Sequence, residues 1–264
     1  MKYILQAACG CHMGKVRKNN EDNFYFDGKC LELENRGLKH PVYFEDNLSH
    51  GLAFAIFDGM GGESYGERAA YAAARQMQLT QRAATDFYIP EKKYLERLVL
   101  QLDEAVVRCQ QAAGTPRMGS TMVSLYFSGR WVYVCNVGDS RAYRLRGGEF
   151  LQLSEDHADK RPEEGMAKAP LTRFLGYGSQ DLLLEPHIAK GEIQPNDLYL
   201  ICSDGLTDML TNFDISNIML NAGDPESCVR ELIRAALDHG GKDNITAIVC
   251  KLITGGPAYD NANA

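Results

Sequence analysis

Leu52-Ala-Phe-Ala-Ile-Phe57 runs directly into Asp58-Gly59-Met60-Gly61-Gly62, an apolar run that ends on a carboxylate and a glycine-bearing turn. A short apolar run bounded by such a turn reads as a strand. The pattern recurs at three further places. Trp131-Val-Tyr-Val-Cys-Asn-Val137 precedes Gly138-Asp139, Leu198-Tyr-Leu-Ile-Cys202 precedes Ser203-Asp204-Gly205, and Asp243-Asn244 opens a run from Ile245 to Val249. Asp58, Asp139, Asp204 and Asp243 thus read as one acidic site gathered from distant parts of the chain. Carboxylates held together beside an apolar layer raise each other's pKa unless hard divalent cations neutralise them. Each aspartate alone has a plainer reading: a strand-to-helix turn at Asp58, a hairpin turn at Asp139, a helix N-cap at Asp204, a turn before a strand at Asp243. Taken together they point to a metal site, and oxygen ligands favour magnesium or manganese over zinc or copper.

Outward from Asp58, Tyr3 to Cys9 and Asn23 to Phe26 read as strands, and Gly28 to Gly51 as a polar hairpin or surface loop. Tyr65 to Ala84 and Glu91 to Ala113 read as consecutive helices; Tyr94, Leu95, Leu98, Leu102 and Val106 have helical spacing, and Pro90 belongs in the second helix's first turn. Thr121 to Phe127, Trp131 to Val137, Arg141 to Arg146 and Glu149 to Leu153 read as an antiparallel meander. Ala158 to Pro170 is charged and aperiodic, hence a loop. Strands follow at Leu182 to His187, Leu198 to Cys202 and Thr246 to Ile253, with a helix over Pro225 to His239 that turns Ser227, Cys228, Leu232, Ile233 and Ala236 inward. Strands in antiparallel runs with paired helices indicate an α+β layered fold. We expect one domain over residues 1–254 and a disordered tail over 255–264.

Composition narrows the function. The 264 residues are 45% hydrophobic, enough for a sizeable core, and the net charge of −7 without a lysine or arginine run argues against a nucleic-acid partner. Cys135, Cys202 and Cys250 fall in apolar runs and the eight cysteines form no CxxC pair, so they read as reduced core residues. No stretch reaches the ~20 apolar residues of a membrane span, and the run from Met1 to Cys9 is too short for a signal peptide, so a cytoplasmic location is expected. His12, His40, His50, His157, His187 and His239 are scattered with no pair at i, i+4, and most of them read as surface or turn residues. Ser140 and Ser203 lack a nucleophile elbow.

Arg17-Lys-Asn-Asn-Glu21-Asp22 places a planar fork able to hold two phosphate oxygens just before two carboxylates. On an extended segment Glu21 and Asp22 point to opposite sides, so both cannot ligate one ion without waters or a turn. The plainer reading is a solvated charged loop.

Gly14-Lys-Val-Arg17 through Asn20-Glu-Asp22, Asp58-Gly-Met-Gly-Gly62, Gly119-Ser-Thr121, Val137-Gly-Asp-Ser-Arg-Ala142, Ser203-Asp-Gly-Leu206 and Gly241-Lys-Asp-Asn-Ile-Thr246 resemble the metal-dependent type-2C family of protein serine/threonine phosphatases. The motifs come in the family's order and span Tyr3 to about Leu252. The resemblance implies a four-layer αββα sandwich, two antiparallel β-sheets flanked by helix pairs, with a two-metal site at one end. It implies two Mn²⁺ or Mg²⁺ ions per chain and a weaker third. By motif position Asp58 would bridge the metals, the Gly59 carbonyl would bind one, and Asp204 and Asp243 the other. Glu21 and Asp22 would act through waters, Arg17 would grip the substrate phosphate, and Asp139 would help hold the third ion. A water bridging the metals would attack phosphorus in line, with no phosphoenzyme. The implied substrates are phosphoproteins, in opposition to a Ser/Thr kinase, and the implied state is a monomer.

Two departures stand out. Met60 occupies the place of a histidine proposed as proton donor in many eukaryotic members, and the flap segment, Ala158 to Pro170, is short. A pseudophosphatase would signal itself by a missing core carboxylate, and Arg17, Asp58, Asp204 and Asp243 are all present. The residues do not separate a general kinase antagonist from a regulator with one dedicated phosphoserine target.

Overall fold

The computed structural model describes residues 3–60, 65–83, 89–115, 118–159, 169–177 and 184–254. The readings for Gly61-Gly62, for most of Ala158 to Pro170 and for the tail over 255–264 lie outside the described residues. Two antiparallel sheets carry the chain. The first runs β3 (Val42–Asp46), β1 (Tyr3–His12), β12 (Ile245–Thr254), β11 (Leu198–Cys202), β8 (Arg141–Arg146), β9 (Glu149–Gln152). The second runs β10 (His187–Glu192), β7 (Trp131–Val137), β6 (Met122–Ser128), β4 (Leu52–Met60), β2 (Asp22–Tyr25), and β5 (Gly119–Ser120) pairs with β4 beyond β6.

Strand periodicity sorts side chains between layers. Phe54 and Ile56 of β4 point into a core shared with Leu5, Phe127, Tyr199 and Ile248, so this core lies between the sheets. Ala55 and Phe57 point the other way, beneath α1 (Gly66–Ala83) and α2 (Glu91–Ala113). In β12, Ile248, Cys250 and Leu252 face inward, whereas Ile245, Ala247 and Val249 meet α3 (Asp204–Thr207), α4 (Asn212–Asn221) and α5 (Pro225–Asp238). Both faces of each sheet are covered, which is why these strands read as unbroken apolar runs. The order is αββα, as the resemblance implies.

The helices fit their places for local reasons. Ala69, Ala70, Ala73 and Ala74 are fully buried, and their small side chains let α1 lie close on its sheet. Leu95, Leu98, Val99, Leu102 and Val106 form the apolar stripe of α2. Asp224 caps α5 by accepting from Ser227 N at 2.8 Å, with Pro225 in the first turn. Ser227 therefore serves the cap, and Val229 takes the inward place expected of it. Pro90 is the N-cap of α2 at ψ 134°, one step before the helix.

The structure corrects the meander. β6 and β7 belong to one sheet and β8 and β9 to the other, so Gly138-Asp139-Ser140 crosses between sheets. Alternation within a strand records which residues are buried, not against which sheet. The expected polar insert holds edge strand β3, paired with β1. The strand expected over Leu182 to His187 begins at His187, where Lys190, Gly191 and Glu192 give an edge strand little apolar signal. The sequence reading missed α4, which buries only Ile215 and Met219 and is marked by the Thr211–Asp214 capping box. All eight cysteines are free. Among the described residues no helix is long and apolar enough to cross a membrane.

Gly10 of β1 lies under α5: a Cβ there would sit 2.5 Å from Val229 Cγ1 and 2.6 Å from Ile233 Cδ1. We expect Gly10→Ala to cost about 1–3 kcal/mol by overpacking. Part of that loss should return when Ile233→Ala is added, as read by urea denaturation; an unchanged midpoint for Gly10→Ala would contradict this packing.

Candidate metal centre

Register brings the first two carboxylates together, because Asp22 of β2 stands opposite Asp58 of β4. Asp22 is buried, and its Oδ2 accepts from Ser203 Oγ at 2.7 Å and from Thr246 Oγ1 at 2.6 Å. Ser203 follows β11 and Thr246 lies in β12, so a carboxylate of one sheet is bonded by hydroxyls of the other. Its Oδ1 is equally buried and has no hydrogen-bond partner. Leaving such an oxygen bare costs about 1–3 kcal/mol, more when the group is charged.

Asp204 is the first residue of α3, and Ser203 is the N-cap, with its hydroxyl turned to Asp22. The cap therefore stands one residue earlier than the sequence suggests. Asp243 precedes β12 and accepts from Arg17 Nη2 at 2.7 Å. Asn244 fastens the segment before β2: its Oδ1 accepts from Glu21 N at 2.7 Å, and its Nδ2 donates to Met13 O at 2.8 Å and Asn19 O at 3.0 Å. The backbone of residues 13–22 is thus bonded into a wall of the site with Asn20 and Asp22 buried, while Lys15 to Asn19 stay exposed, so the solvated-loop reading holds only for those side chains. A single side chain supplies the three bonds, and no local periodicity announces it.

Gly59 N donates to Glu21 O at 3.2 Å. A Cβ on Gly59 would lie 2.1 Å from Gly66 O and 2.6 Å from Glu21 O, so only glycine lets these three backbones meet beside Asp58. Behind Asp58, Thr121 donates its N to Asp58 O at 2.8 Å and accepts from Asp58 N at 3.2 Å. The Thr121 and Ser140 hydroxyls are 2.7 Å apart, tying β4 to the turn that carries Asp139. Ser203, Thr246, Thr121 and Asn244 are the supports that the sequence reading left without a role, although each lies inside a motif quoted for the resemblance.

Electrostatics gather the carboxylates into one group. Burial raises the Asp58 pKa well above the usual range, and Asp204, Asp22, Asp139 and Asp243 raise it further. Burial also pushes Asp22 up to about 7, against the lowering bonds from Thr246 and Ser203 and with the added charges of Asp204 and Asp243. Glu21 is raised by burial, with Asn19 and Arg17 opposing. For Arg17 burial disfavours the charge, yet its bond to Asp243 and the charges of Asp243, Glu21 and Asp58 leave its pKa raised. Arg17, Glu21, Asp22, Asp58, Asp204 and Asp243 are therefore linked in charge, and Asp139 joins them through Asp58. Among the described residues no three acidic, histidine or cysteine side chains close into a ready-made cage. An oxygen-only donor set, surplus negative charge and the bare Asp22 Oδ1 nevertheless fit a hard divalent cation.

A family model described as protein phosphatase 2C matches residues 43–244. Serine/threonine protein phosphatase PstP of Mycobacterium tuberculosis is 28% identical over 268 residues, covering 95% of this chain and 45% of PstP. The chain thus spans less than half of that relative's length. Serine/threonine phosphatase stp of Listeria innocua is 26% identical over 248 residues, covering 89% of this chain and 91% of that protein. Among solved structures, PppA, a key regulatory component of T6SS in Pseudomonas aeruginosa, superposes with a TM-score of 0.75 at 28% identity, covering 95% of this chain and 100% of that one. The catalytic domain of PstP, solved in complex with two manganese ions, superposes with a TM-score of 0.74 at 26% identity, covering 96% of this chain and 100% of that one. With its sandwich, its motif order and a model match over most of its length, the chain belongs to the protein phosphatase 2C family.

Proposed function

We propose that the chain is a manganese- or magnesium-dependent phosphatase acting on phosphoserine and phosphothreonine in proteins, with residues 1–254 as its catalytic domain. The observation that carries this reading is the buried, half-bonded Asp22 beside Asp58, Asp204 and Asp243, a concentration of carboxylates that near neutral pH calls for cations. Asp58, the Gly59 carbonyl, Asp204 and Asp243 would hold two ions, with Glu21 and Asp22 reaching them through water and Asp139 contributing to a third. When bound, such ions supply Lewis-acid stabilisation of phosphoryl charge and a water of near-neutral pKa.

The chain's own residues do the rest. Arg17 is half exposed while one nitrogen holds Asp243, so the remaining N–H groups of its fork face solvent where a phosphate would arrive. Its bond to Asp243 fixes the guanidinium beside the carboxylates, which orients a bound phosphoryl group toward them. Met60 cannot donate a proton, so the leaving alkoxide takes its proton from elsewhere. Ser140 and Ser203 are buried and bonded within the framework, which fits a reaction without a serine nucleophile. Phosphoproteins, among them a Ser/Thr kinase and its targets, are the proposed partners of a monomeric, cytoplasmic enzyme.

Two outcomes are expected. With manganese the chain should hydrolyse a small aryl phosphate and phosphopeptides, EDTA should abolish the activity, and Asp58→Asn should lower kcat by orders of magnitude; an undiminished Asp58→Asn rate would contradict the assignment. The second concerns the metal-free protein. The Asp22 carboxyl titrates at about 7 when folded against an ordinary 3.8, so the folded state binds the extra proton between these values. Its stabilising contribution is complete below pH ~3.8 and is lost as pH rises through about 7. In EDTA, wild type should therefore lose stability relative to Asp22→Asn from pH 4.5 to 7.5, measured by urea midpoints, and parallel curves would count against the crowding.

A further inference from the structure

The scatter of the histidines predicts a surface or turn position for His157, yet the structure buries it to 5% exposure. It grips one residue twice: its backbone N donates to Gly138 O at 3.0 Å, and Gly138 N donates to its Nδ1 at 3.2 Å. A backbone N–H can only donate, so Nδ1 is the acceptor of that bond, while Nη1 of Arg173, also only a donor, lies 3.3 Å from Nε2 on the other side of the ring. Burial, and then Arg173 beside the ring, lower the His157 pKa. Asn136 doubles the tie, donating from Nδ2 to Glu155 O at 2.6 Å and accepting at Oδ1 from Glu155 N at 3.2 Å.

The other side of the turn is equally fixed. Gly138 has φ +103°, and a Cβ there would lie 2.7 Å from Thr121 Cβ. Thr121 is the residue that exchanges two hydrogen bonds with the backbone of Asp58. The turn therefore sits between His157 and Thr121, and Asp139 follows it directly.

We propose that His157 is a positioning residue: by clamping Gly138 it fixes the turn that presents Asp139 to the acidic cluster, and so sets cation affinity at that side of the site. The inference rests on the divalent-cation reading above. Support from behind a ligand sets metal affinity by orienting the ligand, typically about 10–100-fold. Asparagine at 157 can place an acceptor oxygen where Nδ1 stands, whereas phenylalanine keeps the bulk without the acceptor.

The clamp itself is tested by NMR of the uniformly ¹⁵N-labelled, metal-free protein, which should show a scalar coupling between the Gly138 amide nitrogen and His157 Nδ1. Its absence would overturn the proposal. Manganese binding by calorimetry, and the manganese concentration for half-maximal hydrolysis of an aryl phosphate, should both weaken about tenfold in His157→Phe. The substrate KM at saturating manganese should stay unchanged, the Gly138 amide should lose hydrogen-exchange protection, and His157→Asn should recover most of each effect. Equal manganese affinity in wild type and His157→Phe, or His157→Asn no better than His157→Phe, would overturn it. If wild type binds manganese but turns over no phosphate ester, the proposed function fails while the coupling and the calorimetry still decide the clamp.

Discussion

Asp22 opens a strand of one sheet and takes both of its hydrogen bonds from the other, through Ser203 and Thr246. Those two bonds hold one carboxylate oxygen and leave the second bare inside the sandwich. A charge in that position is expensive, and so is its neighbour across the strand pair, Asp58. The layers nearby are arranged around this cost. β11 ends and β12 begins where their hydroxyls can reach Asp22, Asn244 pins the segment that delivers it, and Gly59 lets three backbones crowd in behind. Folding builds the scaffold, and the scaffold leaves a concentration of negative charge that a cation can relieve.

The apolar runs ending in aspartate were legible because these strands are covered on both faces, so each appears as an unbroken hydrophobic stretch with an abrupt polar end. That regularity located Asp58 and Asp204 at the ends of their runs, and Asp243 at the start of one. The same double burial concealed the topology: Trp131–Val137 and Arg141–Arg146 look like successive strands of a meander, but the first belongs to the sheet under α1 and α2 and the second to the sheet under α5. Nothing local in a strand names its sheet. His157 was misread for a related reason, since its burial depends on a turn 19 residues earlier in the chain. Residues 13–22 looked like a solvated loop because the side chain that orders them, Asn244, lies more than 200 residues away.

Arg17 shows how the site balances itself. Its charge lowers the Glu21 pKa against the effect of burial, and its bond to Asp243 occupies a carboxylate that the family pattern assigns to metal. Met60 leaves the position after Asp58-Gly59 without a proton donor.

The most direct measurement is calorimetric titration of the metal-free protein with manganese at pH ~6, repeated in buffers of different ionisation heat. The account predicts binding of two ions, the number in the PstP catalytic-domain complex, accompanied by proton release, because burial pushes the Asp22 pKa up to about 7 and also raises that of Asp58. Absence of binding, or binding with no proton released, would contradict it.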